Sequence, residues 1–184
     1  MPPTPCMING FGRIGRLVFR YAWEDPTLDI VAVNDLCSKE SAAYLAQYDS
    51  VHGTWSRQII ECDEGFTVNG KVVKFSQAKS PTELNLDGIA MVMECTGKFL
   101  KVATLQPYLD RGIQQVVVSA PVKEAGALNV GLGCNHELLQ QDTPRRLVTN
   151  ASCTTNCLGP VVRVIKEHFG IVHGCITTIH DVTG

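Results

Sequence analysis

Apolar runs alternate with segments of helical spacing through the first ~150 residues of the chain, the pattern of a strand–helix repeat. The near-continuous apolar runs are LDIVAVND, GIAMVMECTG and IQQVVVSAP. Runs of this kind are typical of parallel strands covered on both faces. The segments of helical spacing are RIGRLVFRYAWED, SKESAAYLAQYDS and KVATLQPYLDRG. The alternation predicts an α/β fold with a mostly parallel, doubly wound sheet.

Two regions depart from this alternation. Residues 57–77 alternate apolar and polar side chains around the turn signals DEG and NG, which predicts antiparallel hairpins. The stretch HELLQQ predicts a short helix between two short strands. After Ser152, an amphipathic helix over 153–169 and a strand, IVHGCITTIHDV, are predicted. We therefore expect one domain over 1–151 and the beginning of a second, α+β domain over 152–184.

Composition narrows the class of protein. Of 184 residues, 45% are apolar and 18% charged, which favours a globular protein. The net charge of -2 gives no basic footprint for nucleic acid. No apolar run approaches the ~18 residues of a membrane span, and the start has no signal or transit pattern, so we expect a natural amino terminus. The eight cysteines are scattered without a CxxC pair, which predicts free thiols and a cytoplasmic location.

The stretch INGFGRIGR places Gly10, Gly12 and Gly15 in G-x-G-x-x-G spacing. It follows a predicted strand and opens a predicted helix, and Asp35 lies about 20 residues further on. This context favours a Rossmann-type dinucleotide site, with the pyrophosphate at the helix amino terminus. Asp35 would accept hydrogen bonds from ribose hydroxyls and repel a 2'-phosphate, which favours NAD over NADP. The alternative is an ordinary tight turn beside a solvated aspartate.

Cys153, in NASCTTNCLGPV, admits three interpretations. A metal site with Cys157, four residues on, lacks further ligands, so no metal is expected. A small core side chain suits Cys157. For Cys153 the helix start predicted by the caps Asn150 and Ser152 favours a thiolate nucleophile, because free N–H groups and the helix dipole stabilise negative charge there. His180 is the candidate base, on the strand that follows the helix.

Six ordered motifs are similar to those of phosphorylating glyceraldehyde-3-phosphate dehydrogenases. They are INGFGRIGR, YDSVHG, ECTGKF, VVVSAP, ASCTTNCLGPVV and TTIH. The resemblance implies that Cys153 attacks the aldehyde, that His180 takes the hydroxyl proton, and that inorganic phosphate cleaves the resulting thioester. It also implies glyceraldehyde 3-phosphate as substrate, NAD as cofactor, a glycolytic role and a homotetramer.

The same resemblance implies roles for further positions. Ser152, Thr154 and Thr183 match residues that hold phosphate groups. The positions that match the cofactor site are Asn9, Gly10, Phe11, Gly12, Arg13, Ile14, Gly15, Asp35, Thr96, Gly97 and Ser119.

Three departures leave alternatives open. ECTG replaces the commoner ESTG, and HDVT at the end of the predicted strand resembles an arsenate-using branch that makes 1-arseno-3-phosphoglycerate. Family members are about twice as long, so we expect this chain to lack most of the catalytic domain and to bind NAD weakly. A non-catalytic NAD-binding fragment is the rival from another class. An aldehyde dehydrogenase of the aspartate-semialdehyde type is the rival within the fold, and SCTTNC argues against it.

Overall fold

The computed structural model describes residues 2–140 and 146–180. Its strands are β1 Thr4–Asn9, β2 Leu28–Asn34, β3 Ile59–Cys62, β4 Gly65–Val68, β5 Lys71–Ser76, β6 Met91–Glu94, β7 Gln115–Val118, β8 Leu128–Asn129 and β9 Leu147–Thr149. Its α-helices are α1 Arg13–Trp23, α2 Lys39–Gln47, α3 Val102–Asp110 and α4 Cys153–His168. Short 3-10 helices cover Pro81–Glu83 and His136–Gln140.

The strands form one sheet in the order β3-β4-β5-β2-β1-β6-β7-β9-β8. From β5 to β8 every neighbouring pair is parallel, whereas β3, β4 and β5 form an antiparallel meander. This confirms the predicted doubly wound α/β fold and the hairpins over 57–77. Strand β2 lies on one side of β1 and β6 on the other, so the strand order reverses at β1. Ligands of doubly wound sheets bind beside the carboxyl ends of strands at such a point.

Helices cover both faces of the sheet because the apolar strands bury side chains on both sides. Ile8 of β1 packs with Phe19 of α1 in one core cluster. The neighbouring Met7 points to the opposite face, where it packs with Leu105 of α3. Ser38 caps α2 as predicted, since its hydroxyl accepts a hydrogen bond from the backbone N–H of Ser41.

Two predicted elements differ in the structure. The helix predicted at HELLQQ is a 3-10 helix over His136–Gln140, which has no buried residue to stabilise a longer helix. The strand predicted for IVHGCITTIHDV is absent from its described part, residues 171–180, which are exposed and have no regular structure. A strand needs a neighbouring strand for its backbone hydrogen bonds, and the described residues offer this segment none. α4 ends at His168, one residue before the predicted end.

Candidate functional site

A cleft of about 250 Å³ opens at the carboxyl ends of β1, β2 and β6. It brings together five of the predicted cofactor residues, namely Asn9, Gly10, Gly12, Asp35 and Thr96. Its other lining residues were not predicted from the sequence motifs and are Asn34, Leu36, Ala78, Lys79, Lys98 and Phe99. Only their sequence proximity to predicted strand ends could have indicated them.

The three glycines of the turn meet different physical constraints. Gly10 has φ of +90°, and a Cβ there would lie 2.5 Å from the backbone nitrogen of Thr96. A Cβ on Gly15 would lie 2.0 Å from the carbonyl oxygen of Gly10, so only glycine lets α1 pack this closely on the turn. A Cβ on Gly12 would meet nothing within 4 Å. The space beside Gly12 is therefore open to a ligand.

Asp35 is held by the backbone at the edge of the cleft. One carboxylate oxygen accepts a hydrogen bond from the N–H of Phe11 at 2.5 Å, and the other accepts from the N–H of Cys37 at 2.9 Å. Partial burial raises the pKa of Asp35, but these N–H donors outweigh it and hold the pKa below its ordinary value. Asp35 is thus an ionised acceptor at the edge of the cleft, and its predicted contact with a ribose hydroxyl stays a prediction.

The amino terminus of α1 faces this cleft through Gly12, its N-cap. Gly12 offers no side-chain cap, so the first turn of the helix keeps N–H groups that an anion can occupy. Arg13 and Ile14, both predicted to contact the cofactor, are exposed in that turn. Phe11 instead directs its side chain into the core, with its ring centroid 5.4 Å from that of Phe19, so only its backbone can serve the site.

These observations fit a dinucleotide. The open space beside Gly12, the uncapped helix and the ionised Asp35 match a pyrophosphate and a ribose in the required order. Gly97, also predicted, is exposed with φ of +70° in the turn that follows Thr96.

Cys153 is the first residue of α4. Ser152 caps this helix, since its hydroxyl accepts a hydrogen bond from the N–H of Thr155 at 3.1 Å. The chain reaches the cap from β9 through Ala151, which has φ of +51°, a left-handed conformation unfavourable to residues other than glycine. Asn156 donates to the carbonyl oxygens of Asn150 and Ser152 and braces the turn. The exposed thiol of Cys153 therefore stands at a helix start, as the caps predicted. Cys157, predicted to be a small core side chain, is also exposed, because α4 has no buried residue among those described.

An apolar groove of about 770 Å³ runs from α1 to this turn. Ile14, Ser119, Ser152 and Cys153 line it together. The groove thus joins two residues predicted to contact the cofactor with the predicted nucleophile. Ser119 follows β7, and its N–H donates to the carbonyl oxygen of Glu94 on the neighbouring strand.

The predicted phosphate-binding residues are only partly gathered. The hydroxyls of Ser152 and Thr154 lie 3.0 Å apart in the first turn of α4. Thr183 lies outside the described residues. Among residues 2–140 and 146–180, no group of three His, Cys, Asp or Glu side chains could hold a metal ion.

His180 lies in the exposed segment without regular structure. Its neighbours Ile176 and Thr178 line a groove along α4 together with Leu158 and Val162. Within the described part of the chain, no hydrogen bond joins His180 to Cys153. The pairing of these two residues stays a prediction, because the strand that would position the histidine is not formed there.

No helix in the described ranges is long and apolar enough to cross a membrane. Two family models match the chain. Residues 4–102 match "Glyceraldehyde 3-phosphate dehydrogenase, NAD binding domain", and residues 152–184 match "Glyceraldehyde 3-phosphate dehydrogenase, C-terminal domain". The cofactor of the matched amino-terminal domain is NAD.

Curated relatives agree with these matches. Glyceraldehyde-3-phosphate dehydrogenase 3 of Nostoc sp. is 48% identical over 179 residues, which are 96% of this chain and 52% of the relative. Glyceraldehyde-3-phosphate dehydrogenase 1 of Bacillus cereus is 41% identical over 98% of this chain and 54% of its own. The cytosolic glyceraldehyde-3-phosphate dehydrogenase of Leishmania mexicana is 40% identical over 178 residues, which are 96% of this chain and 53% of the relative. The chain spans about half the length of these relatives.

Proposed function

The chain belongs to the glyceraldehyde 3-phosphate dehydrogenase family, and on that basis we propose that it is part of an NAD-dependent, phosphorylating aldehyde dehydrogenase with a cysteine nucleophile. The observation that carries the proposal is the position of Cys153 at the start of α4, on a groove shared with Ile14 and Ser119. The proposed domains are 1–151 for the cofactor and 152–184 for the beginning of the catalytic domain.

NAD would be held by the cleft beside β1. The ionised Asp35 would accept hydrogen bonds from the adenosine ribose, and the uncapped start of α1 at Gly12 would receive the pyrophosphate. Ile14 and Ser119 would contact the portion of the cofactor that extends along the groove toward Cys153. NAD, when bound, supplies a nicotinamide that accepts a hydride.

Cys153 would act as the nucleophile toward glyceraldehyde 3-phosphate. Its Sγ adds to the aldehyde carbon and forms a hemithioacetal, and a base takes the hydroxyl proton as the hydride departs. The base proposed is His180. Inorganic phosphate then displaces the thiolate from the thioester, which gives 1,3-bisphosphoglycerate and restores the cysteine. The first N–H groups of α4 would stabilise the oxyanion formed in both additions.

Ser152, Thr154 and Thr183 would bind phosphate groups of the substrate or of the attacking anion. Arsenate is the alternative acyl acceptor, proposed because residues 180–183 read HDVT. Both anions have tetrahedral oxygen shells, so the same hydroxyl donors could hold either. A homotetramer and a cytoplasmic, glycolytic role complete the proposal by family membership.

A hybrid enzyme tests the proposal. Residues 1–184 are joined to the remaining carboxyl-terminal half of the Nostoc relative, and NADH formation is followed with glyceraldehyde 3-phosphate and phosphate. We expect turnover that depends on both substrates. Cys153→Ser should lower kcat by at least about 10³-fold, as expected when the nucleophile is lost. Cys157→Ser, one helical turn further on, is the matched control and should keep most of the activity.

Three outcomes would count against parts of the proposal. Full activity of Cys153→Ser would remove the nucleophile assignment. His180→Asn should lower kcat by about 10²–10⁴-fold, and an unchanged rate would remove the base. Turnover supported by arsenate but not by phosphate would favour the arsenate branch.

The isolated 184-residue chain should bind NAD weakly and turn over little or no substrate, as expected of a fragment that only binds the cofactor.

A further inference from the structure

A carboxylate is buried behind the wall of the cofactor cleft. Glu94, the last residue of β6, is 1% exposed. One of its oxygens accepts from the amide nitrogen of Asn9 and the hydroxyl of Tyr108, both at 2.8 Å. The other accepts from the N–H of Thr96 at 2.8 Å and from its hydroxyl at 2.5 Å. Four neutral donors thus compensate for the burial of this carboxylate.

The hydrogen bonds continue across neighbouring strands. The side-chain oxygen of Asn9 accepts from the amide nitrogen of Asn34 at 2.8 Å. The side-chain oxygen of Asn34 in turn accepts from the hydroxyl of Ser76 and from the N–H of Ala78. The chain of bonds therefore follows β6, β1 and β2 to the end of β5, in the order in which these strands lie in the sheet.

This chain of bonds forms one wall of the cleft. Asn9, Asn34, Ala78 and Thr96 all line it, whereas Glu94 lies behind them. The backbone of Thr96 is also the surface against which the glycine turn packs, since a Cβ on Gly10 would lie 2.5 Å from its nitrogen. Glu94 therefore holds both Asn9 and the turn that supports Gly10.

A carboxylate only accepts hydrogen bonds, so it fixes the direction of every bond in the chain. It requires Asn9 to turn its NH₂ toward Glu94 and its oxygen toward Asn34. Asn34 must then turn its oxygen toward Ala78, whose backbone N–H can only donate. Burial and the Glu94 carboxylate raise the pKa of Tyr108, so its hydroxyl keeps the proton that it donates.

We infer that Glu94 is a positioning residue, which never touches the cofactor but orients Asn9, Asn34 and Thr96 to bind its adenosine portion. The inference rests on the proposed function for the identity of the ligand. Replacing Glu94 by glutamine keeps its shape but leaves one oxygen for two sets of donors. With its NH₂ toward Thr96, the glutamine opposes the backbone N–H of Thr96. With its NH₂ toward Asn9, it reverses Asn9 and then Asn34, and the NH₂ of Asn34 meets the N–H of Ala78. Either orientation leaves a buried N–H group without an acceptor.

Exchanging the side-chain amide of Asn9 and the carboxylate of Glu94 between the two positions tests the inference directly. In the double variant Asn9→Asp, Glu94→Gln, the new carboxylate accepts from the new side-chain amide, from Tyr108 and from Asn34. That amide keeps its oxygen for Thr96, and Asn34 keeps its original direction. We therefore expect the double variant to recover what either single variant loses. A residue that merely fills space would show no such rescue.

The experiment uses the whole 184-residue chain, labelled with ¹⁵N. ADP-ribose is titrated and its Kd measured from amide chemical shifts, and hydrogen exchange of Thr96 and Phe11 is measured without ligand. Glu94→Gln should raise the Kd about tenfold and lose protection at these amides, because buried donors lose their partners. The double variant should return to within about threefold of the original Kd.

Arg20→Gln is the control for lost stability. Arg20 is 9% exposed and donates to the carbonyl oxygens of Ala46, Gln47 and Gly53, away from the cleft. This variant should unfold more easily yet keep the Kd and the protection of Thr96 relative to other amides. If Glu94→Gln behaves like Arg20→Gln, or the double variant is worse than both singles, the inference is wrong.

Failure of the proposed function gives a different result. If the original chain does not bind ADP-ribose, the ligand assignment for this chain fails. The exchange data still decide the inference, because loss of protection in Glu94→Gln and its recovery in the double variant concern the free protein. Unchanged Thr96 and Phe11 protection in Glu94→Gln would overturn it whether or not the ligand binds.

Discussion

The carboxylate of Asp35 accepts a hydrogen bond from the backbone N–H of Phe11, across 2.5 Å, and so joins the end of β2 to the glycine turn that follows β1. The two residues are 24 positions apart in the chain. The contact means that an acidic residue expected to bind a ribose also holds the turn expected to bind the pyrophosphate. Cofactor affinity and local stability are therefore coupled at this residue.

Asp35→Asn should weaken both properties. Its NH₂ must oppose the N–H of either Phe11 or Cys37, so we expect a loss of about 1–2 kcal/mol in the free energy of unfolding. NAD binding should weaken about tenfold, and the preference for NAD over NADP should shrink because the repelling charge is gone. Urea unfolding and calorimetric titration with both cofactors measure these effects.

Asp49→Asn is the matched control for this variant. The Asp49 carboxylate also accepts from two backbone N–H groups, those of Val51 and His52, but in an exposed loop that does not line the cleft. Its replacement should leave both cofactor affinities unchanged. A loss of NAD affinity in Asp49→Asn as large as in Asp35→Asn would contradict the role given to Asp35.

Alanine at Gly12 and at Gly15 should have opposite consequences. Gly15→Ala places a Cβ 2.0 Å from the carbonyl oxygen of Gly10, so α1 must shift and unfolding should become easier by about 1–3 kcal/mol. Gly12→Ala meets no protein atom within 4 Å and should fold normally. Its methyl group should instead lower NAD affinity by occupying ligand space. Thermal unfolding and NAD titration of both variants separate the effects, and the reverse pattern would refute the site.

Ala151→Gly should stabilise the chain. Ala151 has φ of +51°, where a Cβ is strained, and glycine removes that strain at some cost in unfolded-state entropy. We expect a net gain of about 0.5–1 kcal/mol, measured as a higher urea midpoint.

Asn69 also has positive φ, 49°, and gives the contrasting control. Its side-chain oxygen accepts from the N–H of Gln58, so Asn69→Gly loses a hydrogen bond along with any strain. That variant should gain less than Ala151→Gly or lose stability. A lower midpoint for Ala151→Gly would show that its left-handed conformation is not strained.

Stability should fall on the alkaline side because folding buries one thiol and partly buries two others. Burial raises the pKa of Cys6 and of Cys37 to about 11 each and that of Cys95 to about 12. The unfolded thiols ionise near 9, so above that pH the folded chain binds more protons than the unfolded one. The contribution of these thiols to the free energy of unfolding should therefore be constant below about pH 8 and decrease from about pH 9 toward 11.

Urea unfolding under reducing conditions at several pH values measures this slope. Cys95→Ala should make the slope shallower, whereas Cys175→Ala, at an exposed position, should leave it as it was. Equal slopes in the original chain and in Cys95→Ala would contradict the assignment of this alkaline loss to Cys95.

The sequence predicted those parts of the fold that depend on local pattern. β2 and α1 follow directly from a continuous apolar run and from helical spacing, and Ser152 marks the start of α4 because capping needs only nearby residues. The 3-10 type of the helix over His136–Gln140 was not predicted, because a short apolar stretch does not determine the type of helix without its packing partners.

Residues of the candidate site could be predicted where they belong to one contiguous motif. Residues that only the folded sheet brings together could not. The glycine turn is such a motif, and Gly10 and Gly12 line the cleft. The role of Glu94 was not predicted, because its partners Asn9 and Tyr108 lie 85 and 14 residues away and only the folded sheet brings them together. Phe11 was assigned to the cofactor site by its motif, yet its side chain belongs to the core.

The close approach of Gly15 to Gly10 also determines which positions of the glycine motif would persist in a descendant that has lost cofactor binding. Gly15 is required by packing alone, so a descendant that no longer binds a nucleotide would still inherit it. A Cβ at Gly12 would meet nothing within 4 Å, so selection on folding would leave the side chain at that position free to drift. Within one short motif, the first signature of a lapsed function would therefore be a side chain at position 12, while position 15 stays unchanged as a relic of the architecture.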